Sequence, residues 1–116
     1  MASKALQVLV SQEGKITVVR LCGPVDSEYI DRFKERMDPV AGTAGVLVLL
    51  DCTELTYLNS RAIGLLLKYY RQIAFSRGRI VLVGVDRKLV RTLDLLHIGK
   101  ELPIVNSREE AMALLG

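Results

Sequence analysis

The residues best suited to chemistry fall in one stretch, LTYLNSRAIGLLLKYY, residues 55 to 70. Ser60 stands between Asn59 and Arg61 at the head of a long apolar run. Gly64 and Lys68 follow at helical spacing. A serine in that place has two possible uses. It can cap a helix by accepting a backbone N–H. It can also present a hydroxyl for phosphorylation. A phosphate there would sit at the positive end of the helix dipole, near free N–H groups, with Arg61 to help balance its charge. It would also put up to about two negative charges into any interface on that face. Spacing alone leaves both uses open, and Asn59 is a second candidate cap.

Other chemistries find less support. A serine hydrolase needs a histidine base, and the single histidine, His97, follows Asp94-Leu95-Leu96 with no obvious acidic partner. Asn59-Ser60-Arg61-Ala62-Ile63-Gly64 is not the G-x-S-x-G elbow. Gly42-Thr43-Ala44-Gly45 lacks the lysine and the length of a phosphate-binding loop. Asp51 ends an apolar run, where a receiver domain carries its phosphorylated aspartate. The first predicted hairpin, however, offers only Glu13 where a receiver needs an acidic pair for Mg²⁺. Asp51 is expected to shape the loop after its strand. Cys22 and Cys52 belong to no C-x-x-C pair, so buried free thiols are expected and a metal site is not.

The elements that must position Ser60 can be read along the chain. Half of the 116 residues are apolar and a quarter are charged, enough for one domain with a real core. The longest apolar run, residues 45 to 50, is far short of the roughly 20 residues that span a membrane. The N-terminus reads as a strand and not as a leader, so a cytoplasmic protein is expected. The net charge of +3 is mild and the basic residues are dispersed, so nucleic acid is not an expected partner.

Leu6 to Val10 and Lys15 to Leu21 predict two strands of a hairpin turning at Gly14. Gly23 and Pro24 are expected to break the second strand. Asp26 or Ser27 would then cap a helix running to about Met37, with Pro39 and Gly42 as stop signals. GVLVLLD, residues 45 to 51, is a near-continuous apolar strand of the kind buried on both faces of a parallel sheet. The Ser60 helix follows and ends at Gly78. RIVLVGV is another buried strand. Asp86 caps a helix with Leu89, Val90, Leu93 and Leu96 inward. A short strand in ELPIV and a helix capped by Asn106 or Ser107 complete the order β-β-α-β-α-β-α-β-α.

At about 100° per residue, Ser60, Arg61, Gly64, Lys68, Arg71, Gln72 and Phe75 share one third of the helical wheel. The rest of the wheel is apolar and predicts deep burial against the sheet. Glycine inside a helix costs about 1 kcal/mol relative to alanine. Gly64, on the polar face, leaves a bare spot where another backbone could come close. Phe75 is an unexpected member of that face.

These residues also carry a family resemblance over nearly the whole chain. Leu50, Asp51, Cys52 and Thr53 stand where the family has an apolar strand ending in Asp-Leu-Ser. Tyr57 and Leu58 precede Asn59-Ser60-Arg61-Ala62-Ile63-Gly64, where it has Asp-Ser-x-Gly and an apolar helix. Gly23-Pro24-Val25-Asp26 matches Gly-x-(Leu/Ile)-Asp. The chain resembles STAS domains, and in particular the free-standing anti-sigma-factor antagonists.

The resemblance implies an α/β fold, a singly wound β-α superhelix. Its sheet has five mostly parallel strands with an antiparallel N-terminal edge strand, and four helices accompany it. It implies that Ser60 is the phosphoacceptor of an anti-sigma factor that is itself a serine kinase. The unphosphorylated chain would bind that factor and free a sigma factor, and a PP2C-type phosphatase would reset it. Asp26, Asn59, Arg61, Gly64 and Lys68 would form the partner-binding surface, with no catalysis and no cofactor of the chain's own. Asn59 replaces the usual aspartate and Ala62 the usual glycine. A STAS binding module that is never phosphorylated is the other reading. Examples are a stress-signalling scaffold or the small subunit of a lipid-transport ATPase.

Overall fold

The computed structural model describes residues 5–116. Five strands form one sheet in the order β1-β2-β3-β4-β5. These are β1 (Gln7–Glu13), β2 (Ile16–Val25), β3 (Leu47–Leu58), β4 (Arg79–Val83) and β5 (Ile104–Val105). The first pair is antiparallel and every later pair is parallel. Helices α1 (Ile30–Ala41), α2 (Ser60–Phe75), α3 (Arg87–Leu95) and α4 (Arg108–Leu115) alternate with the strands after the hairpin. This is the fold class that the sequence predicts.

Side chains alternate across a strand, so each central strand feeds two cores. Val48, Leu50 and Cys52 of β3 and Ile80 and Leu82 of β4 face the larger one. There they meet Phe33 and Met37 of α1 and Ile63, Leu66, Tyr69 and Ile73 of α2. Leu49, Val81 and Val83 face the other way and are covered by Ala111 and Leu115 of α4. Tyr69 and Phe33 meet edge to face at 5.8 Å, and the Tyr69 hydroxyl donates to Asp38 Oδ1 at 2.5 Å. Burial foremost, and then this bond, push the Tyr69 phenol above its ordinary range.

Several boundaries differ from expectation. Gly23 and Pro24 do not break β2, which continues to Val25 with register shifts at Arg20/Cys22 and Gly23/Pro24. At each shift the extra residue lies on β3, while Gly23 takes φ +102°, close to Ala5 O, and Pro24 sits where the ladder is interrupted. The longer β2 gives β3 a partner past Asp51, with Cys22 opposite Glu54 and Val25 opposite Leu58. Asp51 therefore lies within β3. Its carboxylate accepts from the Thr53 N–H and hydroxyl at 3.0 and 2.6 Å, so it does not shape a following loop.

Neither Asp26 nor Ser27 caps α1. The cap position is Tyr29, and Asp26 Oδ1 accepts the N–H groups of Glu28 and Tyr29 in the preceding turn. Pro39 does not stop α1 but lies inside its last turn, where its missing N–H removes one helical bond. Asp86 and Ser107 cap α3 and α4 as expected. Leu96 is not inward: it falls just past the end of α3 and is half exposed.

The open edge of β1 is occupied by side chains of α1. Arg32 donates to Leu6 O at 2.7 Å and Arg36 to Val8 O at 3.2 Å. No described helix is long and apolar enough to cross a membrane.

Candidate functional site

The site forms where β2 and β3 end and α2 begins. The Asn59 N–H donates to Val25 O at 3.1 Å, which ties the start of α2 to the end of β2. Asn59 Oδ1 accepts the Ala62 N–H at 2.8 Å, and its Nδ2 reaches Ser27 Oγ at 3.5 Å. Asn59 is thus the helix cap, with the extended backbone a cap requires.

Ser60 is the first residue of the helix proper and is exposed. With the cap supplied next door, its hydroxyl makes no hydrogen bond to any described residue. Among the described residues no base is hydrogen-bonded to it to sharpen it into a nucleophile. His97 stands exposed in the turn after α3, and burial, aided by the Asp51 charge, pushes the Cys52 thiol up to about 12. The Ser60 hydroxyl is therefore open to solvent at the head of the helix. The Ala62 N–H is taken by Asn59, so those of Ser60 and Arg61 are the ones left to meet an anion.

Along α2 the wheel holds. Arg61, Gly64, Lys68, Arg71, Gln72 and Phe75 are exposed, while Ala62, Ile63, Leu66, Tyr69 and Ile73 are buried. A Cβ built on Gly64 meets nothing within 4 Å, so no packing within the fold demands glycine there. Arg71 is engaged by Glu101 through contacts of 2.9 and 3.3 Å. The pairing raises the guanidinium and lowers the carboxylate from their ordinary values. Arg61 and Lys68 belong to none of the described ion pairs.

Of the residues expected in a partner surface, the structure places Arg61, Gly64 and Lys68 with Ser60 on α2, and Asn59 at its cap. Asp26 follows Val25, the residue that Asn59 binds. Its carboxylate is turned into its own loop and takes no part in capping α2.

Sequence reasoning missed the third wall of the site. A groove of about 490 Å³ runs from the end of β3 and the start of α2 to α3, lined among others by Tyr57, Ser60, Ile63, Lys88, Leu89 and Leu96. Tyr57 is half exposed on its rim. Leu96, expected to face inward, instead lines this groove.

Residues 7–111 match the STAS domain family, so the chain belongs to that family. A curated relative, the anti-sigma F factor antagonist of Paenibacillus polymyxa, is 24% identical over 111 residues, 95% of each chain. Among solved structures, an anti-sigma factor antagonist from Mycobacterium paratuberculosis superposes with a TM-score of 0.84 at 17% identity. It covers 96% of this chain and 94% of its own. The anti-sigma factor antagonist SpoIIAA in its unphosphorylated form gives 0.73 at 19% identity, covering 95% of each chain. At these identities the structural likeness speaks for the fold.

Proposed function

We propose that this protein is a cytoplasmic anti-sigma-factor antagonist that acts by binding and not by catalysis. It docks on an anti-sigma factor serine kinase through the exposed face of α2, with Asp26, Asn59, Arg61, Gly64 and Lys68 around the contact, and so releases a sigma factor. Phosphorylation of Ser60 switches it off, and a PP2C-type phosphatase restores it.

The observation that carries this reading is the division of work at the start of α2. Asn59 holds the cap, and the neighbouring Ser60 hydroxyl is exposed and unused by the fold. A phosphate there would meet two free N–H groups and the helix dipole, so the fold would tolerate it. The same phosphate would place its charge within the docking face. The names of the relatives support the reading, including a structure of SpoIIAA described as its phosphorylated form.

Incubation with ATP and purified anti-sigma factors of histidine-kinase fold should add about 80 Da, roughly one phosphate, to the intact mass. Ser60→Ala should abolish the gain. Phosphate uptake by that variant would refute the site. Capture of a transporter ATPase with no kinase activity would favour the unphosphorylated transport module instead.

A further inference from the structure

Phe75 stands almost wholly in solvent, 93% exposed, whereas Phe33, the chain's other phenylalanine, is fully buried. A single exposed apolar side chain is ordinary. This one is not randomly placed. On the helical wheel it lies about 60° from Ser60, within the arc that holds Gly64 and Lys68. Fifteen residues at about 1.5 Å put it about 22 Å along the axis, at the far end of the same ridge. The ridge has one sign of charge, since the sixteen residues of α2 include Arg61, Lys68 and Arg71 and no acid. Arg77 follows, exposed, in a left-handed turn.

We infer that Phe75 is a second anchor of the partner interface, seated in an apolar recess rimmed by carboxylates on the anti-sigma factor. The inference rests on the function proposed above and extends it to the chemistry of the partner. Charge selects the occupant. The Arg71 charge is met by Glu101, while Arg61 and Lys68 are free to pair outward. A second copy of this face would bring like charges together, whereas an acidic partner neutralises them. The separation also assigns the two anchors different duties. About 22 Å exceeds two screening lengths of about 8 Å at physiological salt, so a phosphate on Ser60 does not reach Phe75. Phe75 sets which partner is held, and Ser60 sets when.

The test is a titration of a purified anti-sigma factor serine kinase with wild type, Phe75→Ala, Ser60→Glu and the double variant, at two salt concentrations. Phe75→Ala should weaken binding about 30-fold or more, with an unchanged melting temperature. Its factor should multiply with that of Ser60→Glu, as for sites too far apart to couple. Added salt and Lys68→Glu should each weaken binding. If Ser60→Glu weakens binding while Phe75→Ala stays within about twofold of wild type, this inference falls and the proposed function stands. If wild type does not bind, both fall. Phe75-dependent self-association in sedimentation, or Phe75-dependent binding to anionic vesicles, would give the ring to a second copy or to lipid and overturn the inference.

Discussion

Asn59 Oδ1 accepts the Ala62 N–H at 2.8 Å, and this one bond determines what the fold asks of Ser60. Removing it by Asn59→Ala should cost about 1 kcal/mol, as loss of a good cap does. Ser60→Ala should stay within about 0.5 kcal/mol of wild type. Asn59→Asp keeps the acceptor and adds a charge favoured at a helix start, so it should equal or slightly exceed wild type. Urea unfolding midpoints decide all three. A cost for Ser60→Ala as large as that for Asn59→Ala would mean that Ser60 is the cap.

Gly64→Ala should stabilise the protein by up to about 1 kcal/mol, because the added methyl meets open space in a helix interior. The same substitution should weaken binding of the proposed partner, since the methyl would intrude on the proposed docking face. Thermal unfolding and a binding titration on one preparation check both signs. A gain in stability with unaltered affinity would place the partner elsewhere.

Stability should fall in alkali, starting near the ordinary ionisation of a thiol. The Cys52 thiol ionises near 9.0 when unfolded and only near about 12 in the fold. Between those values unfolding releases a proton, so stability is complete below about 9 and declines by roughly 1.4 kcal/mol per pH unit above it. Tyr69, also raised, steepens the decline from about pH 10, the ordinary phenol value. Unfolding midpoints at pH 8, 9.5 and 11 should show the slope, and Cys52→Ala, although less stable at pH 8, should show a shallower one. A slope identical to wild type would remove Cys52 as its source.

Arg32 and Arg36 cover the carbonyls of Leu6 and Val8 on the β1 edge. An uncovered edge is a template for pairing with another chain. The double variant Arg32→Ala/Arg36→Ala should therefore associate more strongly than wild type as concentration rises, as sedimentation would show. A monomeric double variant would mean that the edge is protected by something else.

The element order and the Ser60 face are legible in the sequence because they rest on periodicity. A buried helix beside a parallel sheet leaves a continuous apolar arc, and α2 does. The ends of β2 and β3 are not legible. Gly23 and Pro24 carry the local signature of a break, and only the partner strand shows that bulges absorb them. Leu96 misled for a related reason: its spacing fits an inward face, but α3 ends one residue earlier. The choice between Asn59 and Ser60 as cap was equally closed to sequence, since both types serve. Backbone geometry decides it. The groove against α3 joins residues about thirty positions apart in the chain, and no local pattern encodes that.

Because cap and hydroxyl belong to different residues, selection can act on them separately. A change at position 59 is felt whenever the chain folds, in every cell and condition. A change at position 60 costs the fold little and, under the proposed function, is felt when the partner is met. Relatives that have lost the signalling partner should therefore drift at 60 while holding a capping residue at 59. A serine kept at 60 would record use and not architecture.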